Sequence, residues 1–267
     1  AEDPDHYAAT YAHCDLLIVG AGPAGIDAAL GYMDTNKRII LIDEQDELGG
    51  GALADPALWP WLERSHKALI NAPNVTILTR TTAFGYYHDN FIGAVQRLTD
   101  HLPELGDAPR EKLWRIRAGE VVLAQGAIER PLVFDGNDTP GVMLSSAARS
   151  FANRYGVAIG KAVVLMASHD SGWHDVFALA KAGVGIAAII DVRESVDSAL
   201  MHEADRLGIT VRLNHSVIGV SGRHGVTSIK ICNNDDYLGR RVDCDAVLMA
   251  GGWTPSVHLW SHSKGSL

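Results

Sequence analysis

The segment CDLLIVGAGPAG, residues 14–25, decides the fold, because a short apolar run passes directly into a glycine-rich turn. The apolar run is typical of a buried parallel strand. Gly20, Gly22 and Gly25 form the pattern G-x-G-x-x-G: the first glycine permits the tight turn, the second lets a pyrophosphate approach the backbone, and the third lets helix and strand pack closely. A helix that begins here directs free N–H groups and its positive dipole end at phosphates. The segment therefore predicts a strand–turn–helix unit that binds a dinucleotide.

An acidic residue ends the next predicted strand, residues 38–43. Asp43 lies 23 positions after Gly20, where a carboxylate can accept hydrogen bonds from ribose hydroxyls. Glu44 is the alternative ribose ligand, and a solvated strand-end carboxylate is the alternative without function. An acid at this place disfavours a 2′-phosphate, so NADP is not expected. Three glycines at 49–51 predict either a loop whose backbone approaches the ligand or a flexible turn.

Alternating strands and helices continue along the whole chain. The elements expected to complete the first domain are one helix and four strands, over residues 59–71, 75–79, 84–87, 114–117 and 121–124. The turn-rich stretch 134–141 predicts a crossing into a second domain. Its strands and helices are expected at 162–167, 176–181, 186–191, 198–207 and 210–213, followed by a ribbon of 217–220 with 227–231.

The last buried strand, residues 246–249, is expected to return to the first domain. The expected boundaries are therefore 1–140 plus 242–267 for the first dinucleotide-binding domain, and 141–241 for a second Rossmann-like domain inserted into it. The second crossover reads Ala167-Ser168-His169-Asp170-Ser171-Gly172, which keeps only the last glycine of the fingerprint. Side chains at Ala167 and His169 would crowd a pyrophosphate, so no nucleotide is expected there.

Composition limits the classes of function. At 267 residues with a net charge of −9, the chain has no basic stripe for nucleic acid. No apolar run approaches the roughly 20 residues that span a bilayer, and a cytoplasmic location without a membrane partner is expected. Cys14, Cys232 and Cys244 form no C-x-x-C pair, which argues against a zinc site and a redox dithiol. No metal site is expected, and both chain ends indicate a fragment of a longer protein.

Four segments carry a resemblance to a known family. DLLIVGAGPAG, LIDEQDELGGG, VVLAQGAIERP and DAVLMAGGWTP together resemble the glutathione-reductase-type flavoprotein fold, with Gln125 where that fold usually has threonine. The resemblance implies an α/β fold of two Rossmann-like βαβ domains of the FAD/NAD(P)-binding type. AIERPLVFDGNDTPGVML, ARSFANRYGV and AGGWTPSVHLWSHSKG are more specifically similar to the α subunit of heterotetrameric sarcosine oxidases.

That resemblance implies NAD as the nucleotide of the first site, with FAD or ATP as alternatives, while FMN and FAD lie elsewhere in the full complex. The residues that it places against the nucleotide are Gly20, Gly22, Pro23, Ala24, Asp43, Glu44, Gln45, Gly50, Gly51, Thr82, Ala83, Ala124, Gln125, Gly126, Gly251 and Gly252.

The implied function is that of an oxidoreductase subunit. The full complex would oxidatively demethylate sarcosine to glycine, transfer the one-carbon unit to tetrahydrofolate and reduce oxygen to hydrogen peroxide, with the β, γ and δ subunits as partners. This chain would carry no catalytic residue and be inactive alone. The alternatives are an independent FAD-dependent NADH oxidoreductase, the α subunit of a related amino-acid dehydrogenase, and a nucleotide-stabilised scaffold. His169 and His174 flank Trp173, but no carboxylate stands at ligand spacing, so a structural role is favoured.

Overall fold

The computed structural model describes residues 5–103, 108–235 and 239–263. Lys264 and Gly265, which close the last of the similar segments, lie outside the described residues. The chain forms two compact units: residues 1–126 with 255–267, and residues 127–254. The second unit is thus inserted into the first along the sequence. No helix in the described part of the chain is both long and apolar enough to cross a membrane.

The first unit is built on a six-stranded sheet in the order β3-β2-β1-β6-β5-β4. Its strands are β1 (Tyr7–Val19), β2 (Ile39–Ile42), β3 (Val75–Leu78), β4 (Thr81–Tyr87), β5 (Phe91–Arg97) and β6 (Glu111–Leu123). Strands β3, β2, β1 and β6 are parallel, whereas β6, β5 and β4 pair antiparallel. The helices are α1 (Pro23–Tyr32), α2 (Trp59–Asn71) and the short α6 (His258–His262), with 3-10 turns at Gly50–Ala54 and Pro56–Leu58.

Strand β1 changes character along its length, and this divides the core. From Tyr7 to His13, exposed and partly buried residues alternate, as expected for a sheet with one solvent-exposed face. From Leu16 to Val19 every side chain is buried, because both faces are covered. On one face, Leu16 and Ile18 pack with α1 and α2 residues such as Ile26. The carboxyl end of this doubly covered strand is where the glycine turn begins.

The second unit contains a five-stranded parallel sheet in the order β11-β10-β9-β15-β8. Its strands are β8 (Val142–Leu144), β9 (Val163–Ala167), β10 (Ile186–Asp191), β11 (Val211–Arg212) and β15 (Ala246–Ala250). The helices are α3 (Ser145–Tyr155), α4 (Asp170–Lys181) and α5 (Ser198–Arg206). A three-stranded antiparallel sheet comprises β12 (His215–Ser221), β13 (Ser228–Asn233) and β14 (Gly239–Asp243), and β7 (Ala127–Glu129) pairs with β16 (Trp253–Pro255).

The expected placement of the last buried strand is wrong. Strand β15 lies inside the second sheet, where Val247 is in register with Val164 of β9 on one side and with Val142 of β8 on the other. All five of its residues are buried, as in a parallel strand that is covered on both faces. The chain therefore returns to the first unit at Pro255 rather than at residue 242, and leaves it after Gly126 rather than after residue 140.

Candidate nucleotide-binding site

The three glycines of the first crossover lie in three different environments. Gly20 has a φ of +98°, and a Cβ there would collide with the carbonyl oxygen of Ala124. A Cβ on Gly25 would collide with the carbonyl oxygen of Gly20, so this glycine lets α1 pack onto the turn. At Gly22, by contrast, no heavy atom lies within 4 Å of the position that a Cβ would occupy. Two glycines are therefore required by packing, and the middle one faces open space.

The amino end of α1 opens onto the same space. Gly22 is the N-cap residue and no side chain caps the helix. Pro23 occupies the first turn, where its missing N–H costs nothing. The remaining N–H groups of the first turn and the positive end of the helix dipole form an anion-binding feature.

Asp43 holds the glycine turn in place. Its Oδ2 accepts a hydrogen bond from the backbone N–H of Ala21 at 2.5 Å, and its Oδ1 accepts one from Gln45 at 2.8 Å. A carboxylate offers about four acceptor positions, so lone pairs remain for ribose hydroxyls. Glu44 is exposed, and its carbonyl oxygen accepts a hydrogen bond from Arg97 at 2.8 Å. Of the two acids, Asp43 is the one bound to the turn.

The second glycine cluster lies directly on the first. Gly49 donates its N–H to the carbonyl oxygen of Ala21 at 2.8 Å. Gly50 has a φ of +51°, and a Cβ there would approach the Cα of Gly22 to 3.0 Å. Gly51 has no neighbour within 4 Å of its Cβ position. Gly50 therefore lets this loop pack closely against the glycine turn, and approach of the loop to a ligand stays a prediction.

A cavity of about 520 Å³ adjoins the turn. Its walls come from the turn, the end of β6 and the segment that leads into α6, and consist of Gly22, Pro23, Ala24, Leu123, Ala124, Gln125, Gly126, Pro255, Ser256, Val257 and Trp260. Six of these were named from the sequence. The wall after Pro255 was not, although its residues stand in the segment quoted for the resemblance. No local motif marks them, because they reach the turn only through the return of the chain to this unit.

Gln125 and His258 form the polar part of this region. The Gln125 Nε2 lies 3.1 Å from the His258 Nε2. The Gln125 Oε1 is buried and has no hydrogen-bond partner. Ser256 donates its N–H to the carbonyl oxygen of Gly126 at 3.0 Å, which fixes the returning chain beside β6. Gln125 thus lines the cavity while its Oε1 is buried away from it.

Ten predicted site residues lie outside this wall: six belong to the glycine turn, the end of β2 and the loop 49–51, and four lie on other elements. Thr82 is exposed and Ala83 is buried on β4, whose first residue, Thr81, donates its N–H to the carbonyl oxygen of Asp43 at 2.7 Å. Gly251 and Gly252 belong to the second unit and do not line the cavity. There the Gly251 N–H bonds the carbonyl oxygen of Arg130 at 3.0 Å.

In the second unit, the matching crossover is filled by side chains. Asp191 ends β10 with 0% of its side chain exposed, and it accepts hydrogen bonds from Trp173 Nε1 at 2.8 Å and from Arg193 Nη2 at 2.8 Å. Arg193 Nη1 also donates to Asp170 at 2.6 Å, at the start of α4. Its hydrogen bond to Asp191 raises the pKa of Arg193 further. His169 caps α4 by accepting the Ser171 N–H at 3.2 Å.

The cysteine thiols are buried and are not activated as nucleophiles. All three are free and buried. Burial raises the pKa of the Cys14 and Cys244 thiols to about 11, which keeps both neutral near pH 7. The described residues contain no cluster of three or more His, Cys, Asp or Glu side chains that could hold a metal ion.

Known proteins resemble this chain in both sequence and fold. Residues 14–163 match the family described as pyridine nucleotide-disulphide oxidoreductase. The sarcosine oxidase subunit alpha of Rhizobium meliloti (strain 1021) is 40% identical, over 98% of this chain and 27% of its own length. The corresponding subunit of Corynebacterium sp. (strain P-1) is also 40% identical, over 99% of this chain and 29% of its own length. The chain thus spans less than a third of these relatives.

A solved structure supports the fold independently. The thioredoxin reductase of T. acidophilum superimposes with a TM-score of 0.70 at 16% identity, covering 92% of this chain and 79% of that one. This fold is of the type that binds flavin and nicotinamide nucleotides. The chain belongs to the pyridine nucleotide-disulphide oxidoreductase family, and over nearly its whole length it is similar to one portion of the sarcosine oxidase alpha subunit.

Proposed function

We propose that the first unit binds NAD+ at the glycine turn and that this chain is the nucleotide-binding portion of a sarcosine oxidase alpha subunit. The observation that carries the proposal is the open space at Gly22, flanked by an uncapped helix end and by Asp43. A pyrophosphate fits such a cradle because backbone N–H groups meet it and no side chain intervenes.

The residues present fit a dinucleotide in two further respects. Asp43 retains acceptor capacity for the adenosine ribose after bonding Ala21 and Gln45. The cavity beside the turn adds room on its other side. NAD+ can supply hydride acceptance when bound, but no residue of this chain is proposed to act in such a step. Retained NAD+ stabilises the folded protein by mass action instead.

The activity of the full protein is part of the proposal. We infer that the complex demethylates sarcosine oxidatively, passes the one-carbon unit to tetrahydrofolate and forms hydrogen peroxide, with flavins and partner β, γ and δ subunits that lie outside this chain. The support is the similarity to subunits named sarcosine oxidase alpha. A cytoplasmic location is also proposed, and three free cysteines are consistent with a reducing compartment.

The filled second crossover separates this proposal from an independent NADH oxidoreductase. Such an enzyme would need FAD in the first unit and NADH in the second. In the second unit Asp191 is fully buried and bonded to Trp173 and Arg193, so it has no free face for a ribose.

The test is the identity of the molecule that the purified chain retains. The protein is denatured, and the released compound is identified by chromatography and mass spectrometry beside a visible spectrum of the native sample. We expect a colourless protein that releases NAD+. A yellow protein that releases FAD would replace the proposal with a flavin oxidoreductase, and release of ATP would point to a related amino-acid dehydrogenase subunit.

A further inference from the structure

The antiparallel half of the first sheet has large side chains on its outward side. On β1 the outward residues Tyr7 and Tyr11 are exposed, whereas the partly buried residues between them, Ala8 and Thr10, are small. A sheet face that meets only water normally shows the reverse pattern, with polar residues outward and large apolar residues inward. The outward side of β1 therefore has the composition of a contact surface.

This surface continues across β6, β5 and β4. Arg115 of β6 is in register with Tyr11, and its guanidinium lies 5.1 Å from the centre of that ring. On its other side, Arg115 is in register with Gly93 of β5, where a Cβ would come within 2.6 Å of the Phe84 ring. The Phe84 ring therefore lies over this glycine, on the same side of the sheet as Arg115.

A second row of rings lies beside the first. The Arg117 guanidinium is 5.6 Å from the centre of the Phe91 ring, which is 5.8 Å from the centre of the Tyr87 ring. Three of the rings in the two rows are between 47% and 70% exposed. Aromatic and arginine side chains are enriched at the centres of protein interfaces. The two rows form one surface, which we call the aromatic face: Tyr11, Phe84, Tyr87, Phe91, Arg115 and Arg117.

The charge of the aromatic face indicates the chemistry of its partner. Arg117 lies 3.5 Å from Asp89. Arg115 donates to the Tyr11 hydroxyl at 3.2 Å and has no carboxylate partner among the residues that the structure describes. A guanidinium held by an aromatic ring is pre-organised to bind a carboxylate from another molecule. Two copies of this face would bring their arginines together, which disfavours a symmetric dimer.

We propose that the aromatic face docks an acidic surface of another subunit, in which a carboxylate pairs with Arg115 and apolar side chains pack on the surrounding rings. The whole chain has a net charge of −9, so attraction of an acidic partner depends on this local pair of arginines. The inference rests on the proposed function, because it requires an assembly of several subunits.

The experiment uses the complete assembly, with the full alpha subunit co-expressed with its partner subunits and purified through a tag on alpha. Arg115→Glu reverses the charge at the centre of the aromatic face. We expect it to weaken binding of one partner subunit at least about tenfold, measured by mass photometry on a dilution series. Arg212→Glu, at an exposed arginine on β11, is the matched control and should keep the native affinity.

A cross-linking variant identifies the partner directly and does not depend on loss of binding. Arg115→Lys keeps the charge and supplies an amine that a carbodiimide couples to a carboxylate in contact with it. We expect mass spectrometry to find this amine joined to an aspartate or glutamate of another subunit.

The outcomes separate the inference from the proposed function. A cross-link to another part of alpha, or to a second copy of alpha, would overturn the inference. Native affinity in a folded Arg115→Glu variant would also overturn it, as would the absence of any cross-link at Arg115→Lys. If no other subunit co-purifies with native alpha, the proposed function itself is wrong.

Discussion

The two crossovers of this molecule start from the same strand–turn–helix plan and end in opposite states. In the first unit, the acid after the second strand bonds two backbone N–H groups and keeps lone pairs, and the turn beside it is open at Gly22. In the second unit, the corresponding acid, Asp191, is fully buried and holds an indole and a guanidinium. One crossover leaves open space and free acceptor positions, and the other satisfies its polar groups internally.

The two crossovers differ in more than their glycines. Trp173 is 0% exposed and reaches Asp191 from inside the helix that would otherwise receive phosphate. Arg193 then joins Asp191 to Asp170 across the amino end of α4. The carboxylate of Asp170 lies between the Arg193 guanidinium and the amino end of α4. A negative charge at this end is favourable because the helix dipole is positive there. The crossover of the second unit is thus occupied by an internal ion-pair network of Asp170, Arg193 and Asp191.

The largest effect is expected on stability when the closed crossover is broken. Arg193→Ala leaves Asp191 buried with Trp173 as its remaining side-chain donor, so the free energy of unfolding should fall by about 3–5 kcal/mol. Urea unfolding followed by circular dichroism measures the change. Arg212→Ala, an exposed arginine on β11, is the matched control and should leave the stability within about 0.5 kcal/mol. Equal stabilities of the two variants would contradict an internal closure.

A pair of glycine variants should separate the two crossovers most clearly. Gly22→Val puts a branched side chain into open space, so the chain should fold normally and lose at least about 100-fold in NAD+ affinity, or ~2.7 kcal/mol. Gly172→Val instead drives a Cβ into the side chain of Ala250 and should lower the melting temperature. Calorimetric titration and thermal melting of both variants provide the measurements. If Gly22→Val retained full NAD+ affinity, the pyrophosphate would not bind at this turn.

The parts of the fold that repeat a short pattern could be predicted from the sequence. Helix α2 and strand β10 were expected over the residues where they lie, because apolar periodicity and length define them locally. Strand β6 was expected as two separate strands, since the exposed Glu120 interrupts the apolar pattern while the ladder with β1 continues. Helix α3 was not predicted as a helix.

Contacts between distant segments were beyond the reach of sequence patterns. The glycine turn and Asp43 were assigned to one nucleotide site because one motif spans both, and the hydrogen bond between Ala21 and Asp43 was not predicted. The cavity wall at Val257 and Trp260 depends on the chain returning after the whole second unit. The wrong prediction for strand β15 has the same cause. An apolar run indicates that a strand is central in a sheet, but only its pairing with other strands shows which sheet contains it.

A smaller loss is expected when the open crossover loses its acid. Asp43→Ala removes the acceptor of the Ala21 and Gln45 N–H groups together with the ribose ligand, and NAD+ affinity should fall by about 1.5–3 kcal/mol. Glu44→Ala is the neighbouring control, because this exposed side chain is not bound to the turn. The two dissociation constants decide between the acids. A loss confined to Glu44→Ala would transfer the ribose role to that residue.

A second closed network in the inserted unit contains a proton that its geometry requires. The Ser145 hydroxyl lies 2.7 Å from Glu129 Oε1 and 2.7 Å from Asp175 Oδ2. A hydroxyl donates one hydrogen, so at the other contact a carboxyl group must donate to the serine oxygen. Burial raises the pKa of Asp175, although the hydrogen bond from Ser145 and the charges of Arg149 and His174 act in the opposite direction, so folding favours a proton on this carboxyl group.

The smallest effect follows from this proton and depends on pH. Because the pKa of Asp175 is raised above 3.8 by folding, the native state holds the proton more tightly, so this group stabilises the fold most at low pH. Its contribution is lost as the pH rises through the raised pKa.

The variant Asp175→Asn mimics the protonated acid. Its side-chain amide can donate to Ser145 and accept from Arg149, which lies 3.2 Å from Oδ1. The free energy of unfolding of the native chain should therefore fall relative to the variant as the pH rises above 3.8 and through the raised pKa of Asp175, with a slope of at most about 1.4 kcal/mol per pH unit. Asp243→Asn, at an exposed carboxylate, should show no such trend in the same urea titrations. A difference between native chain and Asp175→Asn that stays constant with pH would mean that Ser145 does not link a protonated carboxyl to an ionised one.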